Sequence, residues 1–334
     1  MAEIYDAITA QREAIERGEK EMLRQLTRNW MPAYRVLQKR IDDLTELIET
    51  KRAEGELVSW SYIYALDRYR TMMAEAERAV DSYNQAAQGL ITGAEADAVD
   101  LGTDNARQIV SMAEPENPMW TRINKRETRI MSGMLSEPSP LSKLLSESWP
   151  LLRDHLDEAL LAGISAGMGA QWIAKRMAEQ AGIPLKRATT IARTEVNRAY
   201  RQANLETMRS SRTVKGYRRL CYKPTACFAC LMLDGEYYDK KEDFSDHPNG
   251  KCSAVPVTKH FDPINDEDWE SGSDWFRKLS EEEQRKLIGH GRYEAWKADG
   301  INPKDMVYIK QSELWGGSPT VKTLDQINLL KFLK

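Results

Sequence analysis

Three of the four cysteines and one of the four histidines fall in a single stretch, CFACLMLDGEYYDKKEDFSDHPNGKC, from Cys227 to Cys252. Cys227 and Cys230 stand at C-x-x-C spacing, sixteen residues separate Cys230 from His247, and four separate His247 from Cys252. A C-x-x-C pair can form a knuckle whose backbone N–H groups face the sulfurs, and the intervening chain is long enough to return His247 and Cys252 to the same ion. Pro248, Asn249 and Gly250 make a tight turn between the last two donors. Four soft or borderline donors with no fifth candidate predict a closed, structural Zn2+ site on Cys227, Cys230, His247 and Cys252. Thiols that are merely buried, or thiols that do redox chemistry, are the alternatives. Cys221 reads as an interior strand residue, and His155, His260 and His290 stand isolated.

Catalytic readings of the cluster fit less well. A zinc deaminase needs His-x-Glu ahead of its Pro-Cys-x-x-Cys, and KPTACFAC has none upstream. The DHPN segment, Asp246 to Asn249, resembles the His-bearing part of a metal-dependent nuclease hairpin. The helix that would carry that nuclease's next ligand is replaced by SAVPVTKHFDP, with Pro256 and Pro263. No Gly-rich phosphate loop and no Ser/His/Asp set is recognisable, so the chain is expected not to be an enzyme.

A second group of chemistry-bearing residues lies in GIPLKRATTIARTEVNRAYRQANLETMRSS. On a helical wheel Ala188, Ile191, Ala192, Val196, Ala199 and Ala203 form a small-residue stripe against which another element can pack closely. Glu195 falls in that stripe and Glu206 lies along the same line. A carboxylate on a packed face needs a cation or N–H partner, so Glu195 is expected to form a structural ion pair, with catalysis as the alternative. Arg187, Arg198, Arg201 and Arg209 point elsewhere, and are candidate phosphate or partner contacts or a plain solvated surface.

The elements that must position these residues are mostly helical. Tyr34, Leu37, Ile41, Leu44, Leu47 and Ile48 recur at three and four, one face of a helix. Pro32 predicts an end or kink before it, and Gly55 marks a break, after which Trp60, Tyr64, Met72, Met73 and Val80 continue on a further helix. Such stripes fit helices packing on one another, with a partner-binding coiled coil as the alternative. The Pro-rich stretches Met112 to Trp120 and Ser136 to Ser142 are candidate hinges. ALLAGISAGMGAQWIA, Ala159 to Ala174, is too short for a bilayer span and reads as a helix pair with a Gly-rich bend. RTVKGYRRLCYK has strand character, and LDG in LMLDGEYYD is a hairpin-turn signal. The tail reads as short helices and loops closed by an amphipathic helix, TLDQINLLKFLK.

The expected fold is therefore mainly α with a small β element (α+β): a helical bundle, a zinc-stapled β-hairpin region and a short helical tail. The expected segments are an N-terminal helical domain at 1–135, a core with the Cys3His cluster at 141–260 and a C-terminal tail at 261–334. Across 334 residues the net charge is −3, which gives no overall affinity for nucleic acid. It hides a basic stretch from Lys186 to Lys223, with eleven basic residues against Glu195 and Glu206, and an acidic one from Asp262 to Lys286. No apolar h-region follows the start of the chain. With so few cysteines, reduced thiols made in a cytoplasm are expected rather than disulfides.

The order of the blocks IARTEVNRAYRQANLE, VKGYRR, CFACLMLDGEYY and DHPNGKCSAVPV resembles the phage head morphogenesis proteins typified by the Mu F-like minor head proteins. The resemblance runs from about Leu141 to Val257, roughly a third of the chain, and GRYEAWKADGINPKDMV is similar to the segment that follows this core in many members. Members usually read His-Pro-x-Cys-x-Cys, where this chain has Gly250 in place of the first of those cysteines and Cys252 as its only late thiol. They also tend to carry a Trp-bearing strand and an Asp shortly before the C-x-x-C, where this chain has RRLCYKPTAC. The resemblance implies a minor structural protein of a tailed-phage head, made in the host cytoplasm and carried in the virion at the head interior or portal vertex. Its partners would be the portal protein and the major capsid or scaffold protein, with packaged DNA as a further contact and no membrane. The alternative is a zinc-dependent nucleic-acid-processing enzyme or toxin-like domain using Glu195 with the arginines.

Overall fold

The computed structural model describes residues 2–114, 140–267, 269–312 and 316–330. It is 71% helical with small antiparallel sheets, the mainly α class with a small β element expected from the sequence. Both Pro-rich candidate hinges, and the segment boundary between them, fall mostly outside the described residues.

Helices come first: α1 (Ala2–Ala53), α2 (Trp60–Ala65), α3 (Asp67–Ala113), α4 (Pro140–Ser146), α5 (Ser148–Ser165), α6 (Ala170–Gln180) and α7 (Ile183–Ser210). They are followed by β1 (Gly216–Leu220), a one-turn helix α8 (Phe228–Met232), β2 (Tyr237–Asp239) and β3 (Ser253–Val257). The tail holds α9 (Gly272–Lys278), α10 (Glu281–Ile288), α11 (His290–Lys297), β4 (Val307–Ser312), β5 (Gly316–Val321) and α12 (Leu324–Leu330).

The chain divides into two compact units interleaved in sequence. One takes its described residues from Arg17–Ala94 and Glu137–Glu195. Its core includes the face read from the three-and-four spacing, with Leu37, Ile41, Leu44 and Ile48 of α1 buried and Tyr34 and Leu47 half-buried, and Leu26 joins them. Trp30 meets Tyr83 of α3 edge-on at 4.9 Å between ring centres, an arrangement that adds to simple area burial. Arg40 holds Glu75 through two hydrogen bonds of 2.6 and 2.9 Å. Tyr69 Oη donates to Asp157 at 2.6 Å, which ties α3 to α5. Gly163 lets α6 approach α5, since a Cβ there would lie 2.5 Å from Ile173, and Gly167 turns the chain at φ +65°.

Pro32 neither ends nor divides α1, which runs through it without a break. Pro32 and Arg28 are both exposed, so the carbonyl that loses its helical donor faces solvent. The buried residues on the opposite side hold the helix together across the site, against a local penalty of about 3 kcal/mol.

The other unit takes its described residues from Met1–Glu16, Glu95–Ser136 and Val196–Lys334. Its three-stranded sheet has the order β2-β1-β3, antiparallel throughout. The register sets Arg218 opposite Val255 and Arg219 opposite Ala254. Tyr217 and Ala254 pack with Ala106, Val110, Leu205 and Met208 of α3 and α7, while Leu220 and Val255 pack with Ile4, Ile8 and Ile109. Gly102 permits the close approach of α3 to α7, because a Cβ there would meet the Tyr200 carbonyl at 2.4 Å. The LDG turn joins α8 to β2 instead of joining two strands, with Gly235 at φ +82°. The tail is not only short helices and loops, since β4 and β5 form an antiparallel ribbon.

Candidate metal centre

Cys227 caps α8. Its backbone is extended (φ −72°, ψ 162°), and its Sγ accepts the Cys230 N–H at 3.4 Å while its carbonyl accepts from Leu231. The knuckle is thus a helix N-terminus, in which a sulfur takes the place of the usual capping oxygen. One turn puts both sulfurs on the side from which the 246–252 loop returns.

His247 reaches them through Nε2, 3.2 Å from Cys227 Sγ and 3.3 Å from Cys230 Sγ. Nδ1 lies 2.9 Å from the Pro248 carbonyl. An Nδ1–H donated there leaves the Nε2 lone pair toward the sulfurs, the tautomer a metal-binding histidine needs. With Zn–S near 2.3 Å and Zn–N near 2.0 Å, a tetrahedral ion holds its sulfur and nitrogen donors about 3.6 Å apart. The cluster is already at nearly that spacing, so these residues fit a divalent metal of zinc's type.

Cys252 reaches the cluster by way of Cys230. The candidate donors fall into two overlapping groups that share Cys230: Cys227, Cys230 and His247, and the fully buried Cys230, Asp246 and Cys252. All four cysteines are free thiols. Hydrogen bonding with Cys230 and then burial push the Cys252 thiol well above its ordinary range. Burial does the same to Cys221. Hydrogen bonding from Cys230, helped by backbone N–H groups, lowers Cys227 to about 7. The sulfur of Cys230 beside His247 raises the imidazole to about 9. Without metal, sulfur and imidazole share protons where an ion would sit.

The sequence reading missed the shell around these donors. Arg219, 2% exposed, donates from Nη2 to Cys230 Sγ at 3.4 Å and to Asp246 Oδ1 at 3.1 Å. Asp246 also accepts the His247 N–H at 3.0 Å. Arg201 places Nη1 3.0 Å from the Gly250 carbonyl and 3.0 Å from Asp246 Oδ2. Both guanidinium groups lie over Phe244, at 5.6 and 4.7 Å. The strand alternation separates the two neighbouring arginines: Arg218 turns to the other face and grips Asp262 at 2.7 and 3.0 Å. That alternation was the available signal for Arg219, since Arg219 shares a face with the core residue Tyr217.

The remaining residues singled out by sequence lie outside this cluster. Glu195 is buried, at 3% exposure. Arg187 bonds the Leu144 carbonyl and Glu147. Arg209 bonds Glu206 and Asp243 and the carbonyls of Lys240, Lys241 and Glu242, and Arg198 is half-buried. From Ile191 to Ser210 α7 has no exposed residue, so the arginine side is embedded.

No helix among the described residues is long and apolar enough to cross a membrane. No curated protein and no solved structure matches the chain. Residues 154–255, which run from α5 into β3 and include all four cysteines, match the family described as Phage Mu protein F like protein, and the match supports the resemblance to the Mu F-like phage head morphogenesis proteins.

Proposed function

We propose that this chain is a minor structural protein of a tailed-bacteriophage head, bound near the portal and acting in head assembly or in packaging and ejection of the genome. The observation that carries the reading is the family match over residues 154–255, a family whose members are generally structural. The site chemistry supports it. Cys227, Cys230, His247 and Cys252 are read as a four-donor structural Zn2+ site, with Cys230 and Cys252 buried at 2% and 4% exposure and Cys227 at the exposed edge. A structural zinc contributes on the order of 10 kcal/mol to folding, which suits a three-stranded sheet whose outer strand has three residues.

Under this reading the segments 1–135, 141–260 and 261–334 offer docking surfaces to the portal protein and to the capsid or scaffold protein. Glu195 acts as a structural ion-pair partner. Packaged DNA is a secondary contact through phosphates; Arg187, Arg201 and Arg209 are already engaged within the chain, which weakens their claim to that role. The protein works in the virion and has no reaction to lose.

The test is quantitative mass spectrometry of purified heads from the phage that encodes the chain, together with a deletion of its gene. A few copies per head, and defective heads or failed DNA delivery without them, are expected. Absence from heads would overturn the reading. An enzyme or toxin-like domain would instead show activity on DNA, RNA or nucleotides that Glu195→Gln abolishes in a folded protein.

A further inference from the structure

Beneath the candidate ligands lies a buried set of charges that does not balance. Arg201 is 7% exposed, Arg219 2% and Asp246 8%: two cations and one anion withdrawn from water together. Asp246 is held on both oxygens, by Arg219 at Oδ1 and by Arg201 at Oδ2. The second contact is a charge pairing without hydrogen-bond alignment, so Oδ2 has no hydrogen-bond partner among the described residues. The nearby Asp234 does not supply the missing negative charge, because it is paired with Lys223 at 3.5 Å. A buried ion without a counter-charge is strongly disfavoured, so the cluster calls for one more negative charge beside the arginines.

The loaded metal site can supply it, and the supply depends on the ligand set. A divalent ion on three thiolates and a neutral imidazole carries one net negative charge, which neutralises the arginine excess. Two thiolates, one imidazole and a water are neutral and leave the excess in place. Two thiolates, an imidazole and Asp246 are also insufficient, because Asp246 is already counted. Arg219 Nη2, 3.4 Å from Cys230 Sγ, is placed to donate to the sulfur that all the other donors adjoin.

We propose that Arg219, Asp246 and Arg201 form a charge-matching shell that fixes the bound metal as an anionic three-thiolate centre, with Cys252 as the fourth ligand and Arg219 as a positioning residue for Cys230. This rests on the metal-site reading above and specifies its ligand count and outer shell. Gly250 belongs to the same device. A Cβ at 250 would lie 2.2 Å from the Asp246 carboxylate, so the carboxylate occupies the space a side chain there would need.

X-ray absorption at the zinc edge of the zinc-loaded full-length protein tests the ligand count. Three sulfurs and one nitrogen per zinc are expected. Two sulfurs with nitrogen or oxygen would overturn the proposal while leaving a metal site, whereas folded protein that takes up no zinc would overturn the metal-site reading itself. Chelator competition then tests the shell. Arg219→Gln should weaken zinc binding about 10- to 100-fold, with one zinc still bound at saturation, and unchanged affinity would overturn the role. Arg201→Gln, which removes a cation without touching sulfur, keeps the test alive if Arg219→Gln does not fold. It should also weaken binding, and Arg201→Gln with Asp246→Asn, which restores neutrality, should recover most of the loss. Additive losses in the double variant would overturn the charge-matching account.

Discussion

Gly250 and Asp246 show how tightly single atoms are set around Cys230. Gly250→Ala drives a methyl group into the Asp246 carboxylate, and overpacking of this kind costs about 1–3 kcal/mol. A lowered denaturation midpoint together with weaker zinc retention is the expected result; an unchanged midpoint would mean that the loop gives way freely. The raised imidazole makes a pH prediction for metal-free protein. His247 moves from 6.5 to about 9 beside Cys230, so it stabilises the fold fully below its ordinary 6.5 and loses that contribution as pH rises through 9. The gap in melting temperature between chelator-treated wild type and His247→Gln should therefore shrink from pH 6.5 to 9.5. Zinc-loaded protein should show the opposite trend, losing its metal on acidification as the donors take up protons. At this scale the clustering of Cys227, Cys230 and His247 was legible because C-x-x-C and the HPNG turn are local patterns. Arg219 and Asp246 lie far apart in sequence, and the only local signal separating Arg218 from Arg219 is the strand alternation that puts Arg219 on the face of Tyr217.

At the scale of elements, four glycines give a signed test of where helices touch. Gly89 and Gly93 are exposed in α3 with nothing near a Cβ, so alanine at either should stabilise by about 0.5–1 kcal/mol through helix propensity. Gly102→Ala and Gly163→Ala should destabilise despite the same gain, because a Cβ would meet the Tyr200 carbonyl at 2.4 Å and Ile173 at 2.5 Å. Thermal denaturation of the four variants checks the sign at each position. The α1 stripe and the small-residue stripe of α7 were legible because helical periodicity repeats over many turns. Pro32 does not end α1, because the long buried face opposes the local penalty. LMLDGEYY looked like a hairpin because its apolar residues fit a strand, but Cys227 caps the segment and turns Phe228–Met232 into a helix. The β4–β5 ribbon was missed although VYI is β-branched and aromatic and GG follows it.

For the whole molecule, the sequence conveys a helical, slightly acidic chain but not its partition into units. Long helices such as α1, α3 and α7 run from one compact unit into the other, so composition shows no seam at the crossings. The candidate donors Cys227, Cys230, His247 and Cys252 all lie in one unit. Chelation should therefore raise amide exchange across the sheet and α8, residues 216–257, while the buried face of α1 between Leu26 and Ile48 stays protected. Equal deprotection of both would show that the metal supports the entire fold. The deciding measurement is zinc content of full-length protein purified without added metal, alongside Cys227→Ser and Cys252→Ser. One zinc per chain in wild type, lost in both variants together with the order of the sheet region, is the predicted result; well-folded wild-type protein without metal would contradict the account.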